Sequence, residues 1–166
     1  MYPVNLGYDV AVQRMQAMSA NGHHAEALVA VAFTVEKTLR RTLRQLVVSA
    51  GFPSTLAEKL VNNLRGLDAI KKAWEFYDPR NRPLLQVVNQ ADWDVFKTIA
   101  SMRNDLVHGV KVYKLQTCAT ETAAGLASLD NLKTALDIEY GYSGWTRGRV
   151  RRNTKLHADP AVKWTR

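Results

Sequence analysis

Cysteine is nearly absent. Cys118 is the lone thiol among 166 residues, which excludes an internal disulfide framework and any zinc site built on several cysteines. No apolar run approaches the roughly 20 residues that a bilayer span needs. The stretch MYPVNLGYDVAVQRMQ has no basic flank leading into an apolar segment, so no signal peptide is evident and a cytoplasmic protein is expected. A glycine-rich phosphate loop is missing, which leaves ATP or GTP turnover without support. Strand-like alternation never persists long enough to build a sheet, and no internal repeat is visible.

What is present is ordinary globular composition with an uneven charge. Apolar residues make up 46% of the chain, enough to bury a core. The formal net charge is +8, from 23 basic and 15 acidic residues. Seven of those basic residues and one acid fall within 141–166, leaving 16 basic and 14 acidic residues for the other 140. The chain therefore reads as a nearly neutral domain over 1–140 with a basic C-terminal tail over 141–166. Such a tail attracts phosphates through Coulomb attraction and counterion release. Arg147, Arg149, Arg151, Arg152 and Lys155 are its candidate RNA-binding residues, and Trp145 and Trp164 offer rings for stacking on unpaired bases. A tail that only aids solubility, or that docks on an acidic partner, is the plainer alternative.

Helical periodicity dominates the rest. Helices are expected over about 8–19, 24–49, 54–64, 67–77, Asp92 to His108, and 116–139. Asn21-Gly22, Gly51, Gly66, Gly109 and Gly141 act as stops, and Ser54 and Asp92 as N-caps. DPRNRP (Asp78 to Pro83) is a turn, while Leu84, Leu85, Val87 and Val88 form a patch too short to classify. The fold class that follows is all-α: an antiparallel up-and-down bundle of four or five main helices.

One residue breaks the partition of the helix after Asp92. On a helical wheel Arg103 falls in the middle of the apolar face formed by Trp93, Phe96, Ile99 and Met102. An arginine cannot shed its charge, so burial demands acceptors nearby. Glu36 is the lone acid in the apolar stripe of the long second helix, and a Glu36–Arg103 pair in the core or lining a cleft is expected. Fixing helix register, or snorkelling of Arg103 to water, is the structural alternative.

Arg103 also opens the sequence RNDLVHG, an arginine followed by asparagine, with a histidine five residues later and then glycine, at a helix end. This motif resembles that of the HEPN superfamily (higher eukaryotes and prokaryotes nucleotide-binding), over about residues 24–140. The resemblance implies a helical bundle and, in many members, a metal-independent endoribonuclease of toxin–antitoxin or antiviral defence systems, with no cofactor. His108 would handle protons at the ribose 2′-hydroxyl or the leaving oxygen, work that suits an imidazole. Arg103 would hold the scissile phosphate. Asn104, one turn before His108, would orient the imidazole or the phosphate. Glu36 matches an acid that some members carry on an early helix. Arg103 and His108 are about 140° apart on a straight helix, a mismatch that family members resolve by dimerising. A homodimer with a composite active site is therefore expected, with RNA as substrate and an antitoxin or regulatory protein as a further partner. The tyrosine that one subgroup carries two residues after the histidine is Val110 here, with Tyr113 nearest.

The alternatives are a noncatalytic HEPN module that binds RNA, a nucleotide or a protein, and an unrelated basic helical scaffold. His23, His24 and Glu26 lack further metal ligands, so they read as a helix start rather than a metal site. Cys118 reads as a small core residue.

Overall fold

The computed structural model describes residues 7–145, so the predicted RNA-binding residues Arg147, Arg149, Arg151, Arg152 and Lys155 lie outside the described part. The architecture is all-α. Six α-helices follow one another: α1 (Tyr8–Ala20), α2 (His24–Ser49), α3 (Ser54–Asn63), α4 (Gly66–Tyr77), α5 (Gln90–Val107) and α6 (Leu115–Tyr140). One 3-10 turn, Leu84–Gln86, resolves the short apolar patch. Among the described residues the six helices match the six stretches read from the sequence. The short α3 and α4 count fully because each buries its own apolar face, Ala57 and Val61 on α3 and Leu67, Ile70 and Trp74 on α4.

Three expected helix signals work differently. Asp92 is not the cap of α5 but lies in its first turn, where its charge still opposes the positive helix end. Its carboxylate accepts from Asn131 Nδ2 at 3.1 Å. Ser54 is the first residue of α3, with Pro53 in the cap position, and its hydroxyl accepts from Arg44. Gly66 opens α4 instead of closing α3. The carbonyls at the end of α3 are satisfied from elsewhere: Arg40 donates to Val61 O and Leu64 O, both at 2.6 Å.

The described residues divide into two compact units, each assembled from separate stretches of chain. The first takes in the chain up to Val35 together with Gln90–Leu132. Its core holds Met15, Leu28, Val31, Val35, Trp93, Phe96, Ile99, Met102, Cys118, Leu129 and Leu132. Helices approach closely at Gly125, where a Cβ would lie 2.8 Å from Val31 Cγ1 and 3.3 Å from Ile99 Cδ1. On α6, Leu126 is only half-buried, while Gly125 and Ser128 face inward.

The second unit takes in Glu36–Asn89 and the chain from Lys133 onward. Leu39, Leu43, Leu46, Val47, Ile70, Trp74, Leu84, Val88 and Leu136 form its core. A polar network locks the DPRNRP turn onto the end of α6. Buried Asp78 accepts from the Tyr140 hydroxyl at 2.6 Å, from Arg82 Nη2 at 3.1 Å, and from the backbone N–H groups of Arg80 and Arg82. Arg82 Nη1 also donates to both oxygens of Glu139 at 3.0 Å. Trp74 Nε1 donates to the Tyr140 oxygen at 2.9 Å, which satisfies the indole inside the core.

Candidate functional site

The motif residues Arg103, Asn104 and His108 occupy the C-terminal end of α5, within the first unit. This end is built to a fixed pattern. Gly109 takes φ +65°, its N–H bonds to Leu106 O at 3.4 Å, and the Val110 N–H reaches back to Asp105 O at 2.9 Å. This is a Schellman ending, in which a left-handed residue lets the chain fold back over the last carbonyls. Glycine adopts that conformation without the steric penalty a Cβ brings. His108 is the residue just past the last helical one, and its N–H still bonds to Asn104 O at 3.0 Å. Its backbone is thus fixed while its side chain stands exposed, as does that of Asn104.

Arg103 is half-buried. Its guanidinium carbon lies 4.7 Å from the ring centre of Phe33 on α2. Stacking of this kind holds a guanidinium by its face. Phe33 is itself 45% exposed. Nothing local in the sequence marks it for this role.

The chain after His108 is tied back to the same helix. Tyr113 donates its hydroxyl to Asp105 Oδ2, and this bond, with burial second, raises the phenol above its ordinary value. Tyr113 and Leu106 pack against the buried cluster of Leu28, Met102 and Cys118. Lys111 Nζ sits 4.8 Å from the Tyr113 ring centre. Along this stretch Val107, Val110, Val112 and Leu115 are 55–90% exposed.

Glu36 belongs to the second unit. It is half-buried and accepts from Arg40 Nε at 2.8 Å. The Arg40 guanidinium therefore joins Glu36 to the end of α3, a role the sequence did not reveal.

Other residues weighed from the sequence have local roles. His24 Nδ1 is 3.1 Å from Ser19 Oγ, and His23 stands 4.0 Å from Glu26. Burial pushes the Cys118 thiol up, which suits a core residue rather than a nucleophile. Among the described residues no group of three His, Cys, Asp or Glu side chains is placed to hold a metal ion. No helix there is long and apolar enough to cross a membrane.

Taken together, the end of α5 offers an exposed imidazole at a rigid helix terminus, an exposed amide one turn earlier, and a guanidinium held face-on by an aromatic ring. A guanidinium can bind an anionic oxygen and an imidazole can move a proton, and these two stand about 140° apart around the helix. No family model, curated protein or solved structure matches the chain.

Proposed function

We propose that this chain is a metal-independent endoribonuclease of HEPN type, built on that superfamily's up-and-down helical bundle and serving as a cytoplasmic toxin or anti-phage defence effector. The observation that carries this reading is the Schellman ending at Gly109, which presents His108 from a fixed backbone just past Arg103 and Asn104.

In this mechanism Arg103 binds the non-bridging oxygens of the scissile phosphate, and Asn104 orients the imidazole or the phosphate. The ribose 2′-hydroxyl loses its proton and attacks the adjacent phosphorus, and the P–O5′ bond breaks. The products are a 2′,3′-cyclic phosphate and a 5′-hydroxyl, the latter taking up a proton. His108 serves one of the two proton transfers, and its counterpart in a second protomer serves the other. The exposed Val107, Val110, Val112 and Leu115 suit a homodimer whose two motifs share one cleft. An antitoxin or regulatory protein would act on that same cleft.

The test is cleavage of RNA by the purified full chain in the presence of EDTA. Cyclic-phosphate ends are expected, with activity abolished by His108→Ala and by Arg103→Ala while the fold and oligomeric state persist. Undiminished cleavage in His108→Ala would overturn the reading. RNA retention without cleavage by the wild-type chain would identify the noncatalytic module instead.

A further inference from the structure

Among the described residues, the second unit carries a row of cations that meets little counter-charge. Lys37, Arg41 and Arg44 recur at spacings of four and three along α2, which places them on one face of the helix. Trp145 lies against this row. Its ring centre is 5.7 Å from Lys37 Nζ and 5.6 Å from the Arg41 guanidinium carbon, and its Nε1 donates to the buried Thr38 hydroxyl at 2.9 Å. Arg41 Nη1 donates to Gly144 O at 3.0 Å. The backbones approach so closely there that a Cβ on Gly144 would fall 2.7 Å from Arg41 Cβ. Residues 141–145, counted from the sequence with the tail, are thus packed onto α2.

Among the described residues neither Lys37 nor Arg41 has an acidic partner. Arg44 meets Glu58 only at 4.0 Å, and that carboxylate is largely exposed. The row repels itself: burial first, then the charge of Arg41, draws the Lys37 amine below its ordinary value. Tyr142 is close enough to feel both Arg41 and Arg44, although burial dominates and raises its phenol. Stability alone does not favour three like charges in one helical row. An anion seated on the row relieves the repulsion, and the indole holds two of the cations in place in advance of binding.

We infer that Lys37, Arg41 and Arg44, flanked by Tyr142 and Trp145, form a ledge that binds the phosphate backbone of single-stranded RNA. Aromatic rings interleaved with a row of cations distinguish this surface from a simple acid-binding patch, because unpaired bases stack on such rings while their phosphates meet the cations. The choice of RNA as the polyanion rests on the function proposed above. The ledge itself stands on its own geometry.

The experiment is fluorescence anisotropy with a labelled single-stranded RNA of about 20 nucleotides, a length that exceeds the site of a single small binding domain. The full chain carries His108→Ala in every arm, so that binding is read without cleavage. Lys37→Gln with Arg44→Gln removes two cations and leaves the Arg41–Gly144 bond intact. Affinity at 0.1 M salt is expected to fall about 10-fold, and the slope of log affinity against log salt to lessen by about 1.4. Lys37→Arg with Arg44→Lys keeps the charges and is expected to bind like the parent. Unchanged affinity and slope in a folded Gln variant would overturn the ledge. Equal displacement of the RNA by polyglutamate at matched charge would also overturn it, in favour of an acidic protein partner. Failure of the nuclease reading appears separately, as wild-type protein that leaves RNA uncut.

Discussion

Tyr140 and Asp78, 62 residues apart in sequence, meet through a 2.6 Å hydrogen bond in which the phenol donates to a buried carboxylate. Each solves a problem for the other. The carboxylate needs donors to remain charged inside the fold, and the phenol needs an acceptor. Trp74 and Arg82 complete the set, so the turn at 78–83 is fastened to the end of α6. Tyr140→Phe removes the bond to the carboxylate and leaves the Trp74 N–H without its acceptor. A loss of about 1.5–3 kcal/mol is expected, read as a lower urea midpoint with unchanged slope.

This network also sets how stability follows pH. Burial alone would raise the Asp78 carboxyl, but hydrogen bonds from Arg82, Tyr140 and the backbone N–H groups outweigh it and hold the group below its usual 3.8. A depressed carboxyl contributes stability in full above its unfolded value and loses it as pH falls through the folded one. Tyr140 behaves in the opposite sense. Burial, then the bond to Asp78, raises its phenol well above 10.0, so its contribution is full below that value and fades as pH climbs beyond it. Thermal melts of the wild type should therefore fall off at both extremes. Asp78→Asn should flatten the acid limb and Tyr140→Phe the alkaline limb.

Gly109→Ala places a Cβ in the left-handed region, at a cost of about 1–2 kcal/mol. Nothing lies within 4 Å of that Cβ, so the penalty is conformational rather than steric crowding. A melting temperature lower by about 2–8 °C is expected. If His108 acts as proposed, RNA cleavage should drop further than this destabilisation accounts for, because the substitution shifts the backbone that carries the imidazole.

Phe33 is a positioning residue for Arg103. Phe33→Leu removes the aromatic face but keeps an apolar side chain, and the stability change should stay within about 1 kcal/mol. If Arg103 acts as proposed, RNA cleavage should fall through kcat more than KM, and Phe33→Trp should restore it. A Leu variant with full kcat would show that Arg103 is oriented by other contacts.

Gly125→Ala tests the helix packing of the first unit. A methyl group 2.8 Å from Val31 Cγ1 forces a shift in a filled core, with a cost of about 1–3 kcal/mol expected by denaturant titration.

The helices themselves were legible in the sequence because apolar spacing and glycine stops are local signals. The limits of α2 and the terminators Gly22, Gly51, Gly109 and Gly141 needed no tertiary information. What escaped depended on residues brought together from far along the chain. Ser54 looked like a cap, yet its hydroxyl serves Arg44. Arg40 closes the end of α3, a partner far along the chain that no local pattern names. The wheel put Arg103 on the apolar face of its helix but registers direction and not depth, so the Phe33 ring it meets could not be read from it. A long side chain at the edge of a buried face can lay its guanidinium on a neighbouring ring such as Phe33.

The anchoring of Trp145 governs how the chain can be shortened. Deleting everything after Tyr140 would strip the indole from Thr38, remove the carbonyl that Arg41 grips, and confound loss of the basic extension with damage to the domain. A cut placed just beyond Trp145 isolates the extension and keeps that seam closed.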